Sequence, residues 1–292
     1  MSKEDKVYTF ADYYQNASAF AKSAIKIGLQ PKDGVGIIGF NSPEYHFSLH
    51  GTWLANGVTA GIYTTNNEEA CKYVLAHSES VICVCQSGKQ FTKISSLREQ
   101  LPLLKAIVVY WQDEPLPTIA DDGFAKVYTW EQFLELGKDV PDSAVDERIA
   151  STLPGSCATL IYTSGTTGEP KGVMCSHDGC SVNAFHANWY LKLDSYDRFV
   201  SFLPMNHIAA QFVDTMIPVL NRITMYLAQP DALKGTLVAT LRKARPTFFV
   251  AVPRVFEKFM EAIRAKNAQA SVLIIHSIYY IIVFETIFDL MV

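Results

Sequence analysis

The stretch Leu160–Gly172 reads LIYTSGTTGEPKG, and it decides how the rest of the chain is interpreted. Ahead of it, residues 158–162 form a short apolar run that is typical of a buried strand. The ten positions 163–172 then hold four hydroxyl side chains, three glycines and one lysine. Glycine lets backbone N–H groups turn toward an anion, hydroxyls donate to phosphate oxygens, and Lys171 adds a compact positive charge. The composition therefore predicts a loop that binds a polyphosphate.

This loop differs from the P-loop of kinases and GTPases. Counted from Gly165, the pattern G-x-x-x-x-G-K-[ST] requires glycine where Pro170 stands, and Ser or Thr where Gly172 stands. The structural alternative is a solvated Gly/Thr turn after a strand. The length and composition of the string favour the phosphate loop over that turn.

The string resembles the phosphate-binding loop of the adenylate-forming enzymes, which include acyl-CoA synthetases, peptide-synthetase adenylation domains and luciferases. Two upstream segments, YTFAD at 8–12 and GVGIIGFNSPE at 34–44, resemble the opening helix and first strand of the same superfamily. The likeness covers about residues 7–267. Within the superfamily, the chain resembles in particular the bubblegum subfamily of long-chain fatty acyl-CoA synthetases.

The resemblance implies an ATP-dependent ligase that joins a long-chain fatty acid to coenzyme A, with Mg²⁺ as the metal. The loop is implied to bind the β- and γ-phosphates while the carboxylate attacks the α-phosphorus. Coenzyme A then displaces AMP from the acyl-adenylate. Glu169 and Pro170 are expected to shape the loop rather than contact ATP. By resemblance the ATP-binding residues are Thr163, Ser164, Gly165, Thr166, Thr167, Gly168, Glu169, Pro170 and Lys171.

A second informative stretch, FLPMNHIAAQ at residues 202–211, resembles the next motif of the family. The resemblance implies that His207 lies beside the acyl-binding cavity. From composition alone, a histidine among apolar residues is more often a satisfied core side chain. Likewise, Phe212, Met216 and Met225 fit either an acyl tunnel or ordinary core.

Two polar segments near these motifs favour structural interpretations. Ser176 and Asp178 follow a predicted strand, and we expect them to cap a helix rather than contact phosphate. Arg254 and Lys258 are expected to lie on a solvated basic face of a helix.

Strands alternate with helices along the first half of the chain, which predicts βαβ units and an α/β fold. The resemblance implies an incomplete large N-terminal domain of an adenylate-forming enzyme, with mostly parallel sheets flanked by helices. We expect residues 1–267 to form this AMP-binding domain and residues 268–292 to be an apolar tail outside the family. The acidic, proline-containing residues 139–148 are the predicted linker. The predicted strands are 35–40, 59–65, 81–86, 106–111, 158–162 and 172–175.

Composition and charge bear on the ligands and the cellular location that can be expected. A net charge of −4 and a pI near 6.0 give no electrostatic footprint for nucleic acid. Six cysteines without paired CxxC motifs are typical of reduced thiols in a cytosolic protein. The first six residues show no apolar signal segment. The expected location is therefore the cytoplasm, including the cytosolic face of the endoplasmic reticulum or another membrane.

The later motifs of the family do not occur in the 292 residues. These are the Tyr-Gly-x-Thr/Ser-Glu segment that serves Mg²⁺, the ribose-binding aspartate, the hinge and the lysine of the C-terminal domain. Catalytic residues and metal ligands therefore stay unassigned, and we expect a truncated, inactive form of the ligase. The alternative is a non-enzymatic, membrane-attached fragment that retains part of a nucleotide site.

The apolar tail is open to two interpretations. Residues 267–284 carry no formal charge, which is close to the lower limit of about 17–25 residues for a membrane span. Glu285 and Asp289 interrupt the far side of this run. The tail either contacts or spans a membrane, or packs over apolar surface of the folded domain.

Overall fold

The computed structural model describes residues 6–111, 115–116, 122–163 and 169–266. The loop residues Ser164–Gly168 and the apolar tail lie outside these ranges. The strands are β1 (Gly34–Ile38), β2 (Val58–Ile62), β3 (Ser80–Gln86), β4 (Ala106–Tyr110), β5 (Lys126–Thr129), β6 (Cys157–Thr163), β7 (Lys171–Ser176), β8 (Arg198–Ser201) and β9 (Thr224–Leu227). The helices are α1 (Phe10–Lys26), α2 (Pro43–Leu54), α3 (Glu68–His77), α4 (Lys89–Ser95), α5 (Trp130–Leu136), α6 (Asp142–Ser151), α7 (His177–Leu191), α8 (Ile208–Gln211), α9 (Ile217–Asn221), α10 (Leu237–Ala244) and α11 (Pro253–Lys266).

Two sheets organise the described part of the chain. The larger has seven strands in the order β5-β4-β3-β1-β2-β6-β7. Its first six strands are parallel, and β7 runs antiparallel to β6. The second sheet pairs β8 with β9 in parallel. The predicted α/β fold with mostly parallel sheets flanked by helices is confirmed.

Strand β4 shows how the sheet separates two apolar layers. All five of its residues are buried, as expected for a parallel strand that is covered on both faces. Ala106, Val108 and Tyr110 pack in the layer with α1, α2 and α5. Ile107 and Val109 pack in the opposite layer with α3 and α4. Side chains alternate across the pleat, so this single strand contributes to both cores.

Helix starts are well specified by the sequence. Ser42 caps α2 by accepting a hydrogen bond from the Tyr45 N–H at 3.0 Å, and Pro43 occupies the first helical position, as the sequence predicts. Thr9 and Asp12 form a reciprocal capping box at the start of α1. Caps of this kind set the residue at which each helix begins.

The predicted linker at residues 139–148 is wrong, because most of it belongs to helix α6. Val145 is buried in the layer formed by α1 and α2. Asp142 pairs with Lys22 at 2.6 Å, and Asp139 forms an ion pair with Lys26. The acidic residues that suggested a solvated linker instead bind two lysines of α1. The segment is therefore part of the packed domain.

Strand β7 is one edge of the large sheet, and the surface beside it is apolar. On β7, Val173 and Met174 are exposed. On α7, Val182, Phe185 and Trp189 are exposed, at a spacing that places them along one side of the helix. We call these five residues the β7–α7 surface.

The helices that the structure describes include none long and apolar enough to cross a membrane. The interpretations of the tail at residues 268–292 concern residues outside the described ranges. The boundary between the domain and the tail stays a prediction.

Candidate functional site

The predicted phosphate loop is the connection of a β-hairpin. Strands β6 and β7 pair in antiparallel fashion, with Tyr162 opposite Gly172 and Thr163 opposite Lys171. Because the connection joins two strands, it differs from a P-loop, which joins a strand to a helix. The structure therefore agrees with the mismatch found in the sequence. It brings the first and last residues of the predicted ATP site side by side.

Lys171 and Thr163 lie at the mouth of this hairpin, and both are exposed. Within the described ranges, the Lys171 ammonium makes no hydrogen bond or ion pair. Glu169 is also exposed, whereas Pro170 is half-buried. The exposed Thr163 hydroxyl and the exposed Lys171 ammonium thus belong to paired residues of neighbouring strands, an arrangement that suits an anion bound between them.

His207 lies on the surface at the start of α8 and not in the core. Its Nδ1 accepts a hydrogen bond from the Ala209 N–H at 3.3 Å, so the imidazole caps the helix. The alternative of a satisfied core histidine is therefore wrong. The ring is exposed, and the place of His207 beside an acyl cavity stays a prediction.

Two contacts dock the His207 segment against the large sheet. A Cβ added to Gly61 of β2 would lie 2.8 Å from Asn206 Cβ and 2.9 Å from Asn206 Cα, which is closer than Cβ atoms approach. Glycine is therefore required for this close approach. In addition, Thr159 Oγ1 of β6 donates to Gln211 Oε1 at 3.2 Å. The two contacts hold the His207 segment beside β2 and β6, and β6 leads to the phosphate hairpin.

A buried polar network joins the two sheets beside this segment. The Asn41 amide nitrogen donates to Ser201 Oγ at 2.7 Å, to the Leu203 carbonyl at 2.8 Å and to Asp214 Oδ2 at 3.2 Å. Ser201 Oγ in turn donates to Asp214 Oδ2 at 2.5 Å. Asn41 follows β1, Ser201 ends β8, and Asp214 lies in a π-helical stretch, Phe212–Met216. The network thus ties the chain on both sides of His207 to the first sheet.

Asp214 is a carboxyl group with no cationic partner in the part of the chain that the structure describes. Burial raises the pKa of its side chain well above the usual range, while the hydrogen bond from Ser201 acts in the opposite direction and is the smaller effect. Burial therefore favours the protonated, neutral form of this group in the folded chain.

This protonation leads to a pH-dependent stability. The folded chain keeps the Asp214 proton at pH values where the unfolded chain has released it. The free energy of unfolding is therefore expected to fall as pH rises from about 4 toward the raised pKa, by up to about 1.4 kcal/mol per pH unit. Asp214→Asn should remove this slope and be more stable than the parent at neutral pH. Urea unfolding between pH 5 and pH 8 measures both effects.

The control for this experiment is Asp142→Asn, which makes the same chemical change at an exposed carboxylate paired with Lys22. It should keep the slope of the parent protein. Equal slopes in the parent and in Asp214→Asn would contradict the assignment of a buried neutral carboxyl group.

The segment after β7 has the structural role expected from the sequence. Ser176 Oγ accepts from the Gly179 N–H at 3.3 Å, and Asp178 Oδ1 accepts from the same N–H at 2.8 Å. The hydrogen bond from Ser176, followed by that from the Gly179 backbone, lowers the pKa of Asp178. Both acceptors are thus used in capping α7, which confirms the capping prediction.

The remaining sequence candidates are structural as well. Phe212 and Met225 pack against buried Val213 and Ile217, which supports ordinary core. Arg254 pairs with Glu257 at 2.8 Å on the exposed face of α11, as predicted for a solvated helix face.

Sequence analysis missed the residues that hold the site in place. Asn41 and Asp214 meet across 173 positions, so no local pattern joins them. Asp214 did leave one signal, since it is a single acid within the apolar stretch Phe212–Ile217. Gly61 left no signal, because a glycine in a strand does not reveal which backbone approaches it.

The family model described as "AMP-binding enzyme" matches residues 1–279. The chain belongs to the AMP-binding enzyme family. Its sequence is 46% identical over 267 residues to the long-chain-fatty-acid–CoA ligase ACSBG2 of Xenopus laevis, covering 90% of this chain and 35% of that protein. The human ACSBG2 ligase is 42% identical, with coverage of 92% and 40%. The human ACSBG1 ligase is also 42% identical, with coverage of 90% and 36%.

These matches confirm the resemblance of this AMP-binding chain to the bubblegum long-chain fatty acyl-CoA synthetases. The chain spans 35–40% of the length of these relatives. Its activity is therefore a matter for proposal.

Solved structures agree on the fold of this AMP-binding chain. The A-PCP didomain of the carboxylic acid reductase from Segniliparus rugosus, in complex with AMP, aligns with a TM-score of 0.75 at 19% identity, over 91% of this chain and 39% of that one. The o-succinylbenzoate CoA synthetase of Bacillus subtilis, in complex with its acyl-adenylate intermediate, aligns with a TM-score of 0.69 at 18% identity, over 89% and 46%. The large N-terminal fold of adenylate-forming enzymes is therefore present in part.

Proposed function

We propose that this chain provides the phosphate side of the active site of a long-chain fatty acid–CoA ligase. The observation that carries the proposal is the exposed ammonium of Lys171, which lies opposite Thr163 at the mouth of the β6–β7 hairpin without a protein partner in the described ranges. The identity of 42–46% to ligases that act on long-chain fatty acids supports the substrate class.

In this proposal Lys171 stabilises the negative charge of the ATP phosphates. As the fatty acid carboxylate attacks the α-phosphorus, charge builds up on the pyrophosphate leaving group. A cation already held at the hairpin mouth lowers the barrier, because it needs no reorganisation during the reaction. The Thr163 hydroxyl, on the facing strand, donates to the same group of oxygens.

The acyl group is proposed to lie beside His207. The imidazole is exposed at the start of α8, and two contacts hold its segment against β2 and β6. Because β6 leads directly into the phosphate hairpin, the acyl and phosphate sites share one structural element. Coenzyme A is proposed as the acceptor on the strength of the relatives alone.

The metal implied by the family resemblance is Mg²⁺. No group of three or more His, Cys, Asp or Glu residues in these ranges is arranged to hold a metal ion. We assign no metal ligand among the described residues.

A second candidate is a non-enzymatic fragment that retains nucleotide binding and contacts a membrane through its tail. The sequence left this alternative open, and the chain spans 35–40% of the length of these relatives. The cytoplasmic location and the membrane contact stay predictions of the sequence.

One experiment separates the two candidates. Pyrophosphate exchange with ATP and palmitate is measured for the 292-residue chain and for a chimaera in which residues 7–267 replace the matching segment of a full-length ligase. We expect exchange by the chimaera, and ATP binding without exchange or palmitoyl-CoA formation by the chain alone. Unmodified full-length ligase and an enzyme-free blank are the controls.

Two results would each contradict one of the candidates. A stable chimaera that gives no exchange, beside an active full-length ligase, would contradict the ligase proposal. Palmitoyl-CoA formed by the 292-residue chain above the blank would exclude the non-enzymatic alternative.

A further inference from the structure

Helix α3 supports the phosphate hairpin from the side. The Tyr73 hydroxyl donates to the Pro170 carbonyl oxygen at 3.0 Å. One turn further along α3, His77 Nδ1 and the Tyr162 hydroxyl form a hydrogen bond of 2.9 Å. Pro170 belongs to the β7 side of the hairpin and Tyr162 to the β6 side. One helix therefore contacts both sides.

Ring packing makes these two contacts continuous. The Tyr73 and His77 rings stack with centroids 5.4 Å apart and planes at 23°. His77 then meets Tyr162 edge-on, with centroids 5.7 Å apart. A Cβ on Gly172 would lie 3.4 Å from Tyr162 and 3.6 Å from His77, so the β7 backbone also rests on these rings. We call Tyr73, His77 and Tyr162 the α3 brace.

The α3 brace contacts the large sheet at its edge, beside β7. Strand β7 is the edge of the seven-stranded sheet, so β6 is its single strand neighbour there. Pro170 has no N–H, and its backbone can be held only through its carbonyl oxygen. That carbonyl belongs to the peptide unit that leads into Lys171. The hydrogen bond from Tyr73 therefore restrains the orientation of the peptide immediately before the proposed phosphate-binding cation.

We propose that Tyr73 is a positioning residue for Lys171, acting through the Pro170 carbonyl. The inference rests on the proposed function, since Lys171 is the cation that meets the ATP phosphates. Electrostatic stabilisation depends on a charge that is held in place before the reaction. Without this restraint the Lys171 backbone samples more orientations. Polyphosphate binding must then order it, and the entropy lost in doing so weakens the affinity.

The test uses the whole 292-residue chain and inorganic tripolyphosphate as the probe. Tyr73→Phe removes one hydroxyl and keeps the ring, and its affinity by titration calorimetry is expected to fall about five- to tenfold, as for the loss of one hydrogen bond of roughly 1 kcal/mol. Tyr226→Phe is the matched control, because this half-buried tyrosine makes no side-chain hydrogen bond within the described ranges. It should bind tripolyphosphate like the parent.

A double-mutant cycle distinguishes positioning from general stabilisation. In the Lys171→Ala background, Tyr73→Phe is expected to cause no further loss of tripolyphosphate affinity, because the cation it positions is gone. A purely structural role would give the same loss in both backgrounds, and that result would overturn the inference. So would parent-like affinity of Tyr73→Phe.

The outcomes also separate this inference from the proposed function. If the parent chain binds no tripolyphosphate, or binds it equally without Lys171, the phosphate site fails and the role of Tyr73 fails with it. If Lys171→Ala weakens binding but Tyr73→Phe does not, the phosphate site stands and the brace alone is rejected. Should Tyr73→Phe not fold, His77→Phe takes its place. It removes the bond to Tyr162, keeps a stacked ring, and is expected to weaken binding two- to threefold.

Discussion

Replacement of Lys171 by alanine is expected to raise the barrier to acyl-adenylate formation by about 2–4 kcal/mol, or roughly 30- to 900-fold in rate. The ammonium lies exposed at the hairpin mouth opposite Thr163, with no protein anion in the described ranges to neutralise it. Its charge is therefore free to meet the phosphate oxygens. Pyrophosphate exchange by the chimaera carrying residues 7–267 provides the measurement.

Two further variants define what this result means. Lys138→Ala removes an equally charged, exposed side chain that pairs with Glu135 on the distant helix α5, and exchange should stay at the parent rate. Lys171→Arg keeps the charge but changes its shape, so it should recover part of the lost rate. Unchanged exchange by Lys171→Ala would show that the ammonium does not face phosphate in the transition state.

The second large effect is expected at Asn41, where alanine should lower the free energy of unfolding by about 3–5 kcal/mol. The substitution removes the donor shared by Ser201, the Leu203 carbonyl and Asp214. Ser201 and Asp214 are buried at the junction between the two sheets, so water does not readily replace the lost amide there. Chemical unfolding at pH 7, followed by tryptophan fluorescence, gives the value.

A matched control exists at Asn56, which is also buried but donates one side-chain hydrogen bond, to Ser151 at 3.1 Å. Asn56→Ala should cost about 1 kcal/mol for the hydrogen bond and about 1 kcal/mol more because Asn56 has φ 59°, a left-handed conformation that disfavours alanine. A loss at Asn41 no greater than that at Asn56 would mean that the network between the sheets does not contribute as a unit.

The first half of the fold follows from local signals in the sequence. Apolar runs such as Val35–Ile38 mark strands that are covered on both faces, and Ser42 with Pro43 marks the start of a helix. These signals work because the residues that carry them are neighbours in the chain. The direction of β7 was not predictable in this way, since periodicity does not reveal which strand is the partner or how it runs.

Helix α6 shows a different failure. Its composition is polar and acidic, and the single buried residue Val145 is too weak an apolar signal to indicate packing. Val145 packs in the core beside α1 and α2, and Asp142 pairs with Lys22 of α1, more than a hundred residues earlier in the chain. The run of acidic residues in the sequence suggested a segment exposed to solvent. In the structure two of these acids form ion pairs with lysines of α1.

In the candidate site, too, local signals were visible in the sequence and contacts between distant residues were not. The chemistry of the hairpin loop was visible in the sequence, because glycines, hydroxyls and a lysine within ten positions suit phosphate. The parts that orient this chemistry were not visible. Tyr73 meets Pro170 across 97 positions, and Asn41 meets Ser201 across 160. Such partners are chosen by the fold, and one sequence without its fold does not reveal them.

The β7–α7 surface affects how molecules of this chain associate in solution. An edge strand offers unpaired backbone N–H and C=O groups to any other strand, and exposed apolar residues at 173 and 174 lie on this one. With Trp189 and its neighbours on α7 beside it, the same region attracts a second molecule by two mechanisms at once, backbone pairing and apolar contact. We therefore expect the 292-residue chain to self-associate through this edge as its concentration rises, and sedimentation velocity over a concentration series would measure it.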